Sequence, residues 1–519
     1  MSAHANADAR PFFLASHRDG IALALTALAA RLAVVAWAHD KFPAVEDGRY
    51  YDTLARRLAS GQGYTWLWPD GAVTYAAHYP VGYPAALAVS YAIAGASPLV
   101  AMLFSAALGA AATFAVHGLL ASATTRPRAA IGAAIFALHP ALLAYTPAVM
   151  TEGVTTYLLA IASWLASRSR DRDDAHDAHD VDASPRARVS WMWRIAAALV
   201  LGAATLVRPQ TLLLAPAIGY LAVRADLRRR IASALLVTSL AVACCVPWTL
   251  RNCARMDRCA LVSMNAGWNL LIGVRTTSGG WTPVEPPPPE CREVWSEAAK
   301  DVCFERAARG EIGQSPGAWI ARVPAKLAAT FDYFGAAPWY LHASNPIAFD
   351  ARAKTALGAV ETVASRALLL VALAVAARLA GERRKLRVAL AFAGALAALT
   401  LHAWIAYVLL AVIVAVLGRR RLEAAPILVP LTALVIVATA VTHGVFFGAG
   451  RYGLVVVPFV TALAFVDARA GRSARAAPIP PLASESRTSS ASSGSSSRAS
   501  AARSSPSEVG DERRASALY

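Results

Sequence analysis

Apolar residues along this chain collect in long runs separated by short, mostly basic connections, the pattern of helices that each cross a hydrocarbon layer. The first span is expected at residues 21–38 and carries Arg31 inside it. An arginine there either snorkels to the interface or faces a polar cavity. Further spans are expected at 98–120, 129–145, 152–166, 193–207, 210–223, 231–246, 355–379, 386–401, 403–416, 427–442 and 453–466, about twelve in all, with both chain ends on one side. The apolar stretch 83–95 is the exception. The basic connections at 126–128, 168–172, 228–230, 382–385 and 419–421 share the cytoplasmic side under the positive-inside rule only if 83–95 does not cross. It therefore reads as a juxtamembrane or re-entrant helix.

The polar positions are as patterned as the apolar ones. After the first span, EDGRYYDTLARRLASGQGY (46–64) packs two acids, an arginine and two tyrosines into six residues, a costly set beside a bilayer unless it is used. From Tyr50 on, Tyr51, Leu54, Ala55 and Leu58 recur at helical spacing with Asp52, Arg56 and Arg57 opposite. This predicts a short amphipathic helix, just preceded by the acids Glu46 and Asp47 and ended by Gly61 and Gly63.

Composition agrees with the pattern: 57% of residues are hydrophobic, 16% are charged, and the mean hydropathy is +0.44. The class is an all-α polytopic membrane protein. The formal charge of +17 does not indicate a nucleic-acid partner, because the arginines cluster in connections where they set topology. Residues 1–20 read as an uncleaved cytoplasmic N-terminus, and 469–519, rich in Pro, Ser and Arg, as a disordered cytoplasmic tail. The connection DRDDAHDAHDVD, with His176 and His179, lacks cysteine and an apolar framework and reads as a solvated loop rather than a metal site.

Between the core at 21–248, with its acidic loop 39–97, and the C-terminal helices at 355–468 lies an outer loop domain, 249–354. It holds Cys253, Cys259, Cys291 and Cys303. Local disulfides Cys253–Cys259 and Cys291–Cys303 are the simplest pairing in an oxidising compartment; a zinc site is the alternative, without CxxC spacing to support it. Cys244 and Cys245 lie inside a span and read as packing residues.

This topology puts Glu46, Asp47, Arg49, Tyr50, Glu152, Arg208, Arg451 and Tyr452 on one outer face. Arginines there suit a lipid phosphate, and a carboxylate suits proton abstraction. A polyprenyl-phosphate sugar fits both requirements. The competing readings are a lipid or solute transporter, against which stands the lack of an internal repeat, and a glycan polymerase or ligase.

The same residues carry a family resemblance. EDGRYYDTLARRLASGQGY, YPVGYP, HPALLAYTPAVMTEG, LVRPQTLLLAP, PWTLRN followed by GWNLL, and GRYGLVVVP stand in an order that resembles the GT-C superfamily of integral-membrane glycosyltransferases. The closest likeness is to glycosyltransferase family 39, which holds protein O-mannosyltransferases and the lipid A aminoarabinose transferase. The resemblance covers roughly residues 20–470. It implies a GT-C transmembrane helix bundle with periplasmic juxtamembrane helices, in a bacterial inner membrane. It further implies a polyprenyl-phosphate-linked donor and inverting transfer to an acceptor hydroxyl or phosphate on a lipid, glycan or protein. An Asp acts as general base, Arg49, Arg208 or Arg451 stabilise the leaving phosphate, and Tyr50, Glu152 and Tyr452 complete the binding set. Because the first acidic site reads Glu46-Asp47-Gly48, either acid matches the family carboxylate. A divalent cation between Asp47 and Glu152 is left open, since some relatives use one and others do not.

Overall fold

A computed structural model describes residues 5–176 and 184–467, with side chains for 16–171 and 190–467; most of the acidic connection and the C-terminal tail lie outside the described residues. The expected spans are all helical. They correspond to α1 (Ala5–Ala38), α4 (Pro98–Ala121), α5 (Arg126–Ala137) with α6 (Pro140–Leu143), α7 (Thr151–His176), α8 (Ser184–Val207), α9 (Ala215–Leu221) and α10 (Leu227–Arg255). The C-terminal set is α16 (Ala351–Arg378), α17 (Arg384–Ala398), α18 (Ala403–Ala415), α20 (Leu428–Val445) and α21 (Val457–Ala464), with α19 (Arg419–Ala424) between two of them. Among the described residues, six helices are long and apolar enough on their own to cross a membrane: α1, α4, α8, α10, α16 and α20. Others are shorter or broken. α5 stops ahead of Pro140, and α9 and α21 are each entered through a 3-10 turn, Pro209–Leu214 and Gly450–Val456.

Two boundaries differ from expectation for a physical reason. The helix expected to end at 246 runs on through Pro247 to Arg255, since proline removes one backbone hydrogen bond and a long helix can continue past it. Only Glu46 precedes the amphipathic helix α2 (Asp47–Ala59); Asp47 occupies its first turn, where a carboxylate favours the positive end of the helix dipole. Arg31 neither snorkels nor lines an open cavity. It is fully buried, and its guanidinium donates to the carbonyl of Ala137 at 3.1 Å, capping the break after α5.

The basic connections gather at one end of the bundle. Arg126 pairs with Asp19 at 2.5 Å, Arg128 with Asp467 at 3.8 Å and Arg230 with Glu423 at 3.3 Å, while Arg170 donates to the carbonyls of Glu423 and Ala425. α3 (Gly82–Ala94) stays at the opposite end. Its Tyr91 donates to Asp52 of α2 at 2.6 Å, and Arg56 of α2 reaches the Ala96 carbonyl just beyond it. These contacts hold α3 against α2, and at 13 residues it is shorter than the six helices able to cross on their own.

That opposite end also carries a hairpin the sequence reading did not anticipate, β1 (Thr65–Leu67) paired antiparallel with β2 (Val73–Tyr75) around Pro69-Asp70-Gly71. The outer segment is helical: α11 (Ala266–Arg275), α12 (Glu297–Gln314), α13 (Pro316–Ala321), α14 (Val323–Phe331) and α15 (Ala336–Ser344). It has a small core in which Leu271, Ile272, Phe304 and Cys291 meet Phe447 and Tyr452. Disulfides join Cys253 to Cys259 and Cys291 to Cys303, while Cys244 and Cys245 are free.

Candidate active site

Four charged side chains form a line at the end of the bundle opposite the basic connections. Asp47 accepts from Nη2 of Arg451 at 2.8 Å; Nε of the same guanidinium lies 3.3 Å from Oε1 of Glu152, and Nη1 of Arg208 donates to that oxygen at 2.7 Å. Exposure falls along the line, from 32% for the Asp47 side chain to 3% for Glu152.

Local structure explains why they meet. The peptide before a proline is pushed out of the helical region, so Arg208, extended at φ −146°, ψ 108°, stands between α8 and the turn at Pro209 with its side chain free to cross to α7. Glu152 lies in the first turn of α7. A Cβ on Gly48 would sit 2.8 Å from the Val149 carbonyl oxygen, so only glycine lets the first turn of α2 rest directly on the segment that leads into Glu152. Gly450 likewise sits against the carbonyls of Tyr333 and Phe334, which seats Arg451.

Several partners were not singled out from the sequence. The Tyr79 hydroxyl donates to Oδ1 of Asp47 at 3.0 Å and that of Tyr145 to Oε2 of Glu152 at 3.2 Å, while Thr151 accepts from Arg208 at 3.3 Å. Burial first, and then the Asp47 carboxylate, push the Tyr79 phenol above its ordinary value, so it stays protonated and remains a donor. Tyr452 lies under both cations, its ring centre 4.6 Å from the Arg208 guanidinium carbon and 5.2 Å from that of Arg451, and it stacks on His443 at 4.4 Å. The Tyr79 and Tyr145 motifs, YPVGYP and HPALLAYTPAV, were legible as elements, but nothing in their spacing marked one tyrosine over another.

Other expected site residues stand apart. Glu46 is exposed and adopts φ 52°, turned away from the line, with no hydrogen bond to its side chain among the described residues. Arg49 is exposed and likewise touches none of the four. Tyr50 is 47% exposed and stacks on Tyr79, 5.2 Å between ring centres.

Beside Arg208 and Tyr452 a narrow cleft with about 30 Å³ of water-accessible space runs between α7, the 209–214 turn and α20, lined by Thr155, Leu159, Thr211, Leu214, Val435, Thr439, Thr442 and His443. Its lining joins a cation to hydroxyl and aliphatic side chains. A bridging metal does not fit between Asp47 and Glu152. The Arg451 guanidinium already stands between the two acids, and among the described residues no group of three or more His, Cys, Asp or Glu could hold an ion.

No protein-family model and no curated protein matches this sequence. Among solved structures, the chain is similar to the oligosaccharyltransferase AglB from Archaeoglobus fulgidus in complex with an inhibitory peptide and a dolichol-phosphate. That match has a TM-score of 0.42 and 14% identity, over 86% of this chain and 50% of that one. It is also similar to ArnT from Cupriavidus metallidurans in the apo state (0.35, 16%, over 86% and 76%) and bound to undecaprenyl phosphate (0.34, 15%, over 86% and 77%). The chain spans about half the length of the archaeal oligosaccharyltransferase.

Proposed function

We propose that this multi-pass membrane protein is a GT-C glycosyltransferase that moves a hexosyl or pentosyl unit from a polyprenyl-phosphate donor to an acceptor hydroxyl, with inversion, at the periplasmic face of a bacterial inner membrane. The observation that carries the reading is the Asp47–Arg451–Glu152–Arg208 line at the mouth of the cleft. As it stands, two acids balance two arginines. A phosphate arriving at Arg451 and Arg208 replaces Asp47 as the partner of Arg451, and the released carboxylate becomes available as a base.

In the reaction Asp47 takes the acceptor proton, the acceptor oxygen bonds to the anomeric carbon, and the bond from that carbon to the phosphate oxygen breaks with its electron pair. Arg451 and Arg208 stabilise the charge that gathers on the departing phosphate. Glu152 holds both arginines in place, itself held by Tyr145. The basic connections face the cytoplasm under the positive-inside rule, which places Asp47 outside, where the disulfides of the 249–354 segment are stable.

Purified protein in detergent, given a panel of radiolabelled polyprenyl-phosphate sugars, is expected to release free lipid phosphate from at least one of them. Absence of turnover with every donor, together with passage of intact lipid across liposomes, overturns the reading in favour of a transporter.

A further inference from the structure

Next to Asp47 the aromatic side chains form a ledge that the charge line does not use. Tyr50 follows Asp47 by three residues on α2, so both lie on one helix face. Its ring is near parallel to Tyr79, at 5.2 Å and 19°, and Trp66 stands edge-on to it at 5.2 Å and 86°. One face of Tyr50 is covered by Tyr79; with 47% of the residue exposed, the other face is open. The polar atoms of Trp66 and Tyr79 are already engaged. Trp66 donates Nε1 to Glu297 at 2.6 Å, and Tyr79 donates its hydroxyl to Asp47 at 3.0 Å.

A single carboxylate fixes this arrangement. Glu297, at the start of α12, accepts from Trp66 through one oxygen and from the backbone N–H groups of Ala77 and His78, at 2.6 and 2.8 Å, through the other. It ties β1 and the loop carrying Tyr79 to the outer segment, so the ledge is held rigidly beside the base.

Building on the glycosyltransferase reading, we infer that the acceptor is a carbohydrate, whose pyranose ring stacks on the open face of Tyr50 against the wall made by Trp66. An aromatic face is electron-rich, and a sugar ring offers it a flat patch of electron-poor C–H bonds while keeping its hydroxyls around the rim. With the hydrogen-bonding atoms of Trp66 and Tyr79 taken, the ledge offers ring faces and the single hydroxyl of Tyr50, which suits such a ligand better than a peptide backbone. Because Tyr50 and Asp47 lie on one face of α2, a ring stacked there has part of its hydroxyl rim on the side of the base.

The test is transfer by the full-length protein in nanodiscs, using a turned-over donor and three acceptor classes: methyl hexopyranosides and their disaccharides, a Thr-containing peptide, and diacylglycerol. The expected result is transfer to saccharide, with acceptor KM raised at least tenfold in Tyr50→Ala and Trp66→Ala. Donor KM should stay within twofold. Tyr50→Phe restores the wild-type acceptor KM, whereas Tyr50→Leu, which supplies apolar area without an aromatic face, behaves like the alanine variant. Transfer only to peptide, diacylglycerol or water overturns this inference and leaves the glycosyltransferase reading standing, as does a leucine variant equal to the phenylalanine one. Failure to turn over any donor removes both.

Discussion

Replacing Asp47 by asparagine separates catalysis from binding by the sign of two effects. The amide keeps the size of the carboxylate, and its oxygen can still accept from Arg451, now at 2.8 Å from Oδ2, while its NH2 meets a Tyr79 phenol able to turn from donor to acceptor. Shape and hydrogen bonds survive; the base and one negative charge do not. Loss of the base is expected to lower kcat by roughly a hundredfold to ten-thousandfold. Loss of the charge acts in the opposite direction on the donor. In the wild type the phosphate must compete with Asp47 for Arg451. A charge-assisted bond is worth about 1.5–3 kcal/mol when buried, but Asp47 is 32% exposed, and solvent screening reduces this to about 0.5–1 kcal/mol. Donor affinity should therefore tighten about two- to fivefold. Single-turnover kinetics with a labelled donor, alongside donor titration by filter binding, reads both quantities. A variant that loses kcat and also binds donor more weakly would refute the exchange of Arg451 between carboxylate and phosphate. One that keeps full activity would refute the base itself, and Glu46→Gln, altering an exposed side chain without partners, should change neither.

Arg451→Ala should weaken donor binding by about 1.5–3 kcal/mol, seen as a rise in donor Kd. The four thiols at 253, 259, 291 and 303 should resist alkylation without reductant, as mass spectrometry would show, and removing the Cys291–Cys303 bridge should cost the outer segment about 2–4 kcal/mol. Reporter fusions after Arg128, Arg230 and Lys385 should report one compartment and fusions at Asp70 and Ser278 the other; Asp70 and Arg128 fusions in the same compartment would make α3 a crossing helix. Burial holds the His78 imidazole below its ordinary value against the opposing pull of Glu297, Asp301 and Asp47. The unfolded chain then binds the extra proton first, so stability is expected to fall as pH drops below about 6.5, and His78→Gln should flatten that slope in thermal unfolding curves.

How far the sequence carries is clearest at the charge line. Asp47, Glu152, Arg208 and Arg451 could be assigned to one end because bilayer-length runs and basic connections count parity, and parity is a property of the whole chain. Which atoms touch was not legible. Tyr79 and Asp47 are 32 residues apart, Arg451 and Asp47 are 404 apart, and no local period links either pair. What separates Glu46 from Asp47 in the structure is position: the first is exposed at φ 52° ahead of the helix, and the second lies in its first turn against Arg451, a difference that no local pattern marks. The hairpin at 65–75 had a signal, Pro69-Asp70-Gly71, but three-residue strands are too short for alternation to register. Pro247 read as a stop because the rule for proline comes from helices in water.

The 404-residue separation of Asp47 and Arg451 also sets an order of assembly. As a growing chain enters the membrane from its N-terminus, Glu152 meets Arg208 after 56 further residues and is neutralised early. Asp47 waits for almost the entire protein. Its partner arrives between the last pair of helices, α20 and α21. On the proposed mechanism, a chain cut before residue 451 carries the acids and the ledge without the arginine that would seat the phosphate, so synthesis itself would withhold activity until the final helix is in place.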